Sequence, residues 1–136
     1  MTGTHKGTLK GKCACGTIAF TATPEDFWVA YCHCNDCKKA TGAPVSTYVG
    51  IKTKDIVFQG TPKKFATSEG VRRGWCERCG SPVSYESIRW DGEIHLHIGM
   101  FDKPEELEPT GHEYVKEQLP WLRFADDLPK AAEPEG

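Results

Sequence analysis

A chain of 136 residues with 38% hydrophobic and 26% charged residues fits one soluble domain, which should bury roughly two-thirds of the surface its unfolded form exposes. The formal charge is only −2, with 13 Lys or Arg against 9 Asp or Glu in residues 1–100 and 4 against 10 in residues 101–136. That balance disfavours a nucleic-acid partner, which would call for a denser basic face. No run of about 18 apolar residues is present, which excludes a helical membrane span, and MTGTHKGTLKGKC lacks the apolar stretch of a secretory signal. A cytoplasmic, reducing location is expected. Seven cysteines are an odd number for a disulfide scaffold and divide naturally into four plus three, which favours metal ligation.

In chain order, residues 1–9 are expected to be a flexible N-terminus and 10–129 a single β domain. Cys13 and Cys15 precede GTIAF, where Ile18 and Phe20 alternate with Thr17 and Ala19, so both cysteines are expected on one face of an extended strand. NDCKKATG predicts one or two helical turns, with Asn35 as N-cap and Gly42 as terminator. Further strands are expected at VSTYVGI (45–51), DIVF (55–58) and KKFAT, then at VRRGWC and PVSYES on either side of the CERCGS turn. IHLHI (94–98) alternates most cleanly, with Ile94, Leu96 and Ile98 facing the core and His95 and His97 opposite. KPEEL predicts a short turn opened by Pro104. Pro120-Trp121-Leu122 reads as an anchor for the C-terminal segment, and KAAEPEG (130–136) as a flexible tail. The sum is an all-β domain with short helical turns, stapled by metal.

Cys76-x-x-Cys79-Gly80 is a zinc-knuckle spacing, and Cys13-x-Cys15-Gly16 supplies a second pair, again followed by glycine. Together they make a closed set of four thiolates, which is the pattern of a structural site. YCHCNDCKK holds the other three, Cys32, Cys34 and Cys37. Three sulfurs leave a fourth position for water or a thiol substrate, the pattern of catalytic zinc. Two other readings stand beside that one. His33, His95, His97 or His112 can close the site, or CNDC can act as a redox pair without metal. His33 is also a candidate proton donor. Lys38 and Lys39, with Arg72 and Arg73, are candidate basic groups for an anionic ligand. Trp75, Trp90 and Trp121 are candidate pocket walls or core residues.

GKCACG, YCHCNDCKKATG and GWCERCGSPVSY in this order resemble the glutathione-dependent formaldehyde-activating enzyme family, which is related to centromere protein V. The resemblance continues through DGEIHLHIGMFDKP and HEYVKEQLPWLRFADDLP. It implies a β-tent fold with a structural zinc at Cys13, Cys15, Cys76 and Cys79, and a second zinc at Cys32, Cys34 and Cys37. It also implies carbon–sulfur lyase chemistry on adducts such as S-hydroxymethylglutathione, formed from glutathione and formaldehyde. A non-enzymatic zinc domain that binds other proteins is the competing class.

Overall fold

The computed structural model describes residues 7–133. Ten strands, one short helix and five 3-10 turns follow one another among them. The strands are β1 (Leu9–Lys12), β2 (Ala19–Ala22), β3 (Trp28–Cys32), β4 (Ser46–Lys52), β5 (Ile56–Gln59), β6 (Lys63–Ser68), β7 (Val71–Trp75), β8 (Pro82–Ser87), β9 (Glu93–His97) and β10 (His112–Glu113); helix α1 is Asn35–Thr41. The fold is therefore β-dominated with short helical turns, as the alternating segments predict. No helix among the described residues is long and apolar enough to cross a membrane.

β1, β2 and β5 make a small sheet, and the other seven strands form one large sheet in the order β10-β3-β4-β9-β8-β7-β6. Every pairing is antiparallel except β10 with β3. One face of the large sheet carries Val29, Val49, Ile51, Ile94 and Leu96, which join Leu9, Phe20 and Ala22 of the small sheet in the core. Leu96 and Val49 are fully buried and paired across β4 and β9. The alternation in β9 thus sends Ile94 and Leu96 to the core, and His95 and His97 to the other face, where both are also buried.

That second face holds one continuous row. Trp28 on β3 pairs with Gly50 on β4, Gly50 with His95 on β9, His95 with Tyr85 on β8, and Tyr85 with Arg73 on β7. Gly50 is required there: a Cβ would lie 2.0 Å from Trp28 Cε2, so only glycine lets the indole lie across the sheet.

Three local expectations change. Cys13 and Cys15 do not lie on a strand; β1 ends at Lys12, and both cysteines sit in a turn closed by Gly16 N–H donating to Cys13 O at 3.0 Å. Gly16 (φ 81°) supplies the left-handed backbone the turn needs. The N-cap of α1 is Cys34, with Asn35 as the first helical residue, while Gly42 (φ 70°) terminates the helix as expected. Trp121 is 64% exposed and is not the anchor; the C-terminal segment is held by Phe124 packed on Tyr31 and His112 and by backbone pairing, with His112 N–H donating to Pro129 O and Ala131 N–H to His112 O. Residues 1–6 and 134–136, which belong to the termini expected to be flexible, lie outside the described residues.

Candidate metal centre and active site

The two knuckles are built alike. Cys13 N–H donates to Ile18 O at 2.8 Å, and Cys76 N–H to Ser81 O at 3.0 Å; each turn is closed by a glycine in the left-handed region, Gly16 and Gly80. Ser81 ties them together, because its Oγ accepts from Ala14 N–H at 3.1 Å and lies 3.1 Å from Cys79 Sγ. Cys13, Cys15, Cys76 and Cys79 converge so that their sulfurs all lie within 4.8 Å of one another. Cys15 Sγ is 3.7 Å from Cys13 Sγ and 3.7 Å from Cys76 Sγ. A tetrahedron of zinc–sulfur bonds of about 2.3 Å has edges of about 3.8 Å, so the donor set fits that ion. The separations are far beyond the roughly 2.05 Å of a disulfide. Ile18 N–H donates to Cys13 Sγ at 3.3 Å, and Thr17 Oγ1 lies 3.2 Å from Cys15 Sγ. These donors favour thiolates: Ser81 holds Cys79 down to about 5, and Thr17 lowers Cys15.

Cys32, Cys34 and Cys37 form the second cluster, at the end of β3, the cap of α1 and its first turn. Their sulfurs lie within 4.8 Å of one another, with Cys32 Sγ 3.6 Å from Cys37 Sγ, again the edge of a zinc–thiolate tetrahedron. Among the described residues, no His, Asp, Glu or further Cys brings a ligand atom into this group. The histidine-closed alternatives for His33, His95, His97 and His112 therefore find no support in the geometry. The cluster opens into a cavity of about 770 Å³, large enough for a peptide-sized ligand.

Arg73 is the neighbour that sets the electrostatics. Only 8% exposed, it donates from Nη1 to Tyr48 Oη at 3.2 Å, points Nη2 at Cys37 Sγ at 3.6 Å, and lies 5.0 Å from the centre of the Tyr85 ring. The thiols of Cys32 and Cys34, then Tyr48 and the Arg73 charge, push Cys37 down to about 2. Cys32 moves the other way, raised by its bonds to Cys34 and Cys37, so Cys37 ionises first. Burial and the Cys37 charge raise the Tyr48 phenol, which stays protonated at neutral pH. Farther along the row, Glu93 accepts from His95 Nε2 at 3.0 Å, and Trp28 packs edge-on against the His95 ring with centroids 4.6 Å apart. Trp90 lines this end of the cavity.

The remaining sequence candidates are placed elsewhere. His33 is fully buried, and its Nε2 lies 3.0 Å from His112 Nδ1; burial, then His112 and Lys38, push it down to about 4. Its ring does not line the cavity. Lys38 Nζ bonds Asn35 Oδ1 at 3.0 Å and the carbonyl of Glu117, fastening α1 to the chain after β10. Lys39 and Arg72 are exposed and do not line the cavity either. Of the four basic candidates, Arg73 alone reaches the cluster. The sequence pattern does not expose Tyr48, Tyr85, Trp28 or Glu93 as site residues; the signal was their even spacing with His95 and Arg73 on neighbouring strands.

Residues 8–117 match the family described as glutathione-dependent formaldehyde-activating enzyme. The chain belongs to that family. With it comes lyase-type activity of the glutathione- and formaldehyde-handling kind. An uncharacterized lyase of Schizosaccharomyces pombe is 20% identical over 98 residues, 72% of each chain. The crystal structure of a Rhodobacter sphaeroides protein superposes with a TM-score of 0.59 at 18% identity, covering 76% of this chain and 98% of that one, a likeness of fold. The match to the formaldehyde-activating family takes in all seven cysteines, Arg73, Tyr48 and the β9 histidines.

Proposed function

We propose that this member of the family is a zinc-dependent carbon–sulfur lyase, with a structural zinc at Cys13, Cys15, Cys76 and Cys79 and a reactive one at Cys32, Cys34 and Cys37 in a β-tent fold. The observation that carries the reading is the second cluster itself: three sulfurs at zinc-tetrahedron spacing, without a fourth protein ligand among the described residues, facing a cavity of about 770 Å³. Zinc held there supplies a Lewis acid that lowers the pKa of a fourth-position thiol. The substrate pair is a small thiol such as glutathione and formaldehyde. Seven free thiols in two tight clusters suit a reducing compartment such as the cytoplasm.

In the forward direction the thiol sulfur attacks the formaldehyde carbon, one carbon–sulfur bond forms, and the thiol proton ends on the former carbonyl oxygen. The reverse reaction breaks the same bond and returns the proton to sulfur. Arg73 places a positive charge beside the cluster, where sulfur and then oxygen carry negative charge. Tyr48 accepts from Arg73 and turns its own O–H toward the Cys37 sulfur, which places a proton donor at the edge of the cluster where the alkoxide develops. Trp28, Tyr85, Trp90 and His95 line one end of the cavity with ring surface against which a bound thiol's carbon chain can pack.

Two measurements test this: metal per chain on reduced protein never exposed to chelator, and exchange between formaldehyde and S-hydroxymethylglutathione by carbon-13 NMR. Two zinc ions and accelerated exchange are expected, with Cys37→Ser retaining one ion and exchanging at the uncatalysed rate. One zinc in the wild type would overturn the open centre. Two zincs with uncatalysed exchange would overturn the substrate pair.

A further inference from the structure

Behind the three-cysteine cluster, with His112 at the cavity's edge, lies a buried polar chain that the reaction does not use. β10 runs parallel to β3 and pairs His112 with Tyr31, so His112 lies on the opposite face from Cys32. His33, one residue beyond Cys32, turns to the same side. His112 stacks on Tyr31 at 4.7 Å and lies nearly coplanar with His33 at 5.3 Å, and Phe124 packs against all three at 4.7, 4.6 and 5.7 Å from Tyr31, His112 and His33. Through this apolar stack runs one line of hydrogen bonds: His33 Nε2 to His112 Nδ1 at 3.0 Å, and His112 Nε2 to Asp126 Oδ2 at 3.1 Å.

The carboxylate fixes the outer end of the line: Asp126 can only accept, so His112 donates to it from Nε2, and His112 Nδ1 and His33 Nε2 share the one proton-mediated contact between the rings. The His112 bond keeps the Asp126 carboxyl below its usual range against partial desolvation. Both imidazoles are essentially without solvent, and half-buried Asp126 is the acceptor that ends the line, so its loss takes away the fixed partner of His112 Nε2. The backbone is gripped at the same point, with His33 N–H donating to Glu113 O and Tyr31 N–H to Gly111 O, both at 3.0 Å. Residue 33 is thus held by ring and backbone between two of the three sulfur donors.

We propose that Asp126, acting through His112 and His33, is a positioning residue for the Cys32, Cys34, Cys37 centre. It fixes the His33 ring and with it the backbone that aims Cys32 and Cys34 at a common point. This rests on the reading of those three cysteines as a metal centre. The C-terminal segment, which touches no cysteine through this residue, thereby controls the geometry of the reactive site.

The test compares full-length wild type, Asp126→Ala and Asp126→Asn by amide hydrogen exchange, together with metal extraction by a colorimetric chelator. In Asp126→Ala, amides of residues 31–38 should exchange about tenfold faster while residues 13–18 and 76–81 are unchanged, and one of two ions should be extracted about tenfold faster. Asp126→Asn, whose amide oxygen still accepts from His112, should restore most of both. Unchanged exchange at 31–38, or equal acceleration at all three segments, would overturn the proposal. A wild type with a single ion would overturn the two-zinc reading instead, and the exchange data would still decide the role of Asp126.

Discussion

The two cysteine clusters use the same ligand and share the same sulfur spacing, yet they sit in opposite environments. Cys15 and Cys79 are exposed at the tips of turns, and the surrounding groups are neutral donors, Ser81, Thr17 and backbone N–H. The ligand pairs are 61 residues apart at Cys15 and Cys76, so an ion there joins the small sheet to the β7–β8 turn of the large one. Cys32, Cys34 and Cys37 span six positions and close almost no chain. Their neighbour is a buried guanidinium, and their open side is a cavity. Under the proposed function, long closure with neutral neighbours suits a staple, and short closure beside a buried charge and a cavity suits a reactive site.

The comparison breaks most sharply by substitution of one sulfur from each cluster. Cys76→Ser should abolish folding, since a closed structural zinc site contributes on the order of 10 kcal/mol; loss of the cooperative urea transition reports it. Cys37→Ser should leave a folded, cooperative protein that lacks the second ion and lyase activity. If both variants fold equally well, the division into staple and reactive centre fails.

Arg73→Leu tests the charge difference between the clusters. Turnover should fall about a hundredfold, the scale for loss of one donor at a developing negative charge. Arg73→Lys should not restore it, because the planar fork bonds Tyr48 and Cys37 from two nitrogens and an ammonium cannot. Steady-state rates with the four-cysteine ion counted in parallel separate this effect from unfolding.

His97 sharpens the picture through pH. It is 7% exposed against the Tyr48 ring, and burial followed by the Arg73 charge pushes it down to about 4. The unfolded imidazole titrates near 6.5, so between these values the unfolded chain binds more protons. The stability this ring contributes is intact above about 6.5 and is lost as pH falls toward 4. Between pH 7 and 5 the loss should be about 2 kcal/mol, read as a urea-midpoint shift that His97→Gln removes.

The smallest expected effect concerns the basic residues that do not reach the cavity. Lys39→Ala and Arg72→Ala should each leave KM for glutathione within about twofold of wild type, since exposed charges outside the pocket contribute little and are screened. A tenfold rise in either would show that the bound thiol extends beyond the cavity.

The two cysteine clusters were legible in the sequence because their spacing is local. CxxCG aims two sulfurs from one turn, and CxCxxC aims three from a strand end and a helical turn, whatever the rest of the chain does. The same locality produced the strand segments at β4, β5 and β9, the helix at residues 35–41 with its Gly42 terminator, and the core face of β9. The error at Cys13 and Cys15 has the same origin: i, i+2 spacing is shared by a strand and by a glycine-closed turn, and only the hydrogen bond from Gly16 to Cys13 distinguishes them.

By itself, then, the sequence determined the seven clustered cysteines, their division into four and three, and the family to which the chain belongs. Tertiary structure decided what surrounds them. Arg72 and Arg73 are neighbours in the chain, yet pleating sends one to solvent and the other against Cys37. His33 and His95 are both buried, but one is locked behind the three-cysteine cluster and the other faces the cavity. These outcomes depend on the register of β3, β4, β9, β8 and β7, strands whose partners lie tens of residues away, and pair register is set by the packing of whole faces rather than by any local spacing.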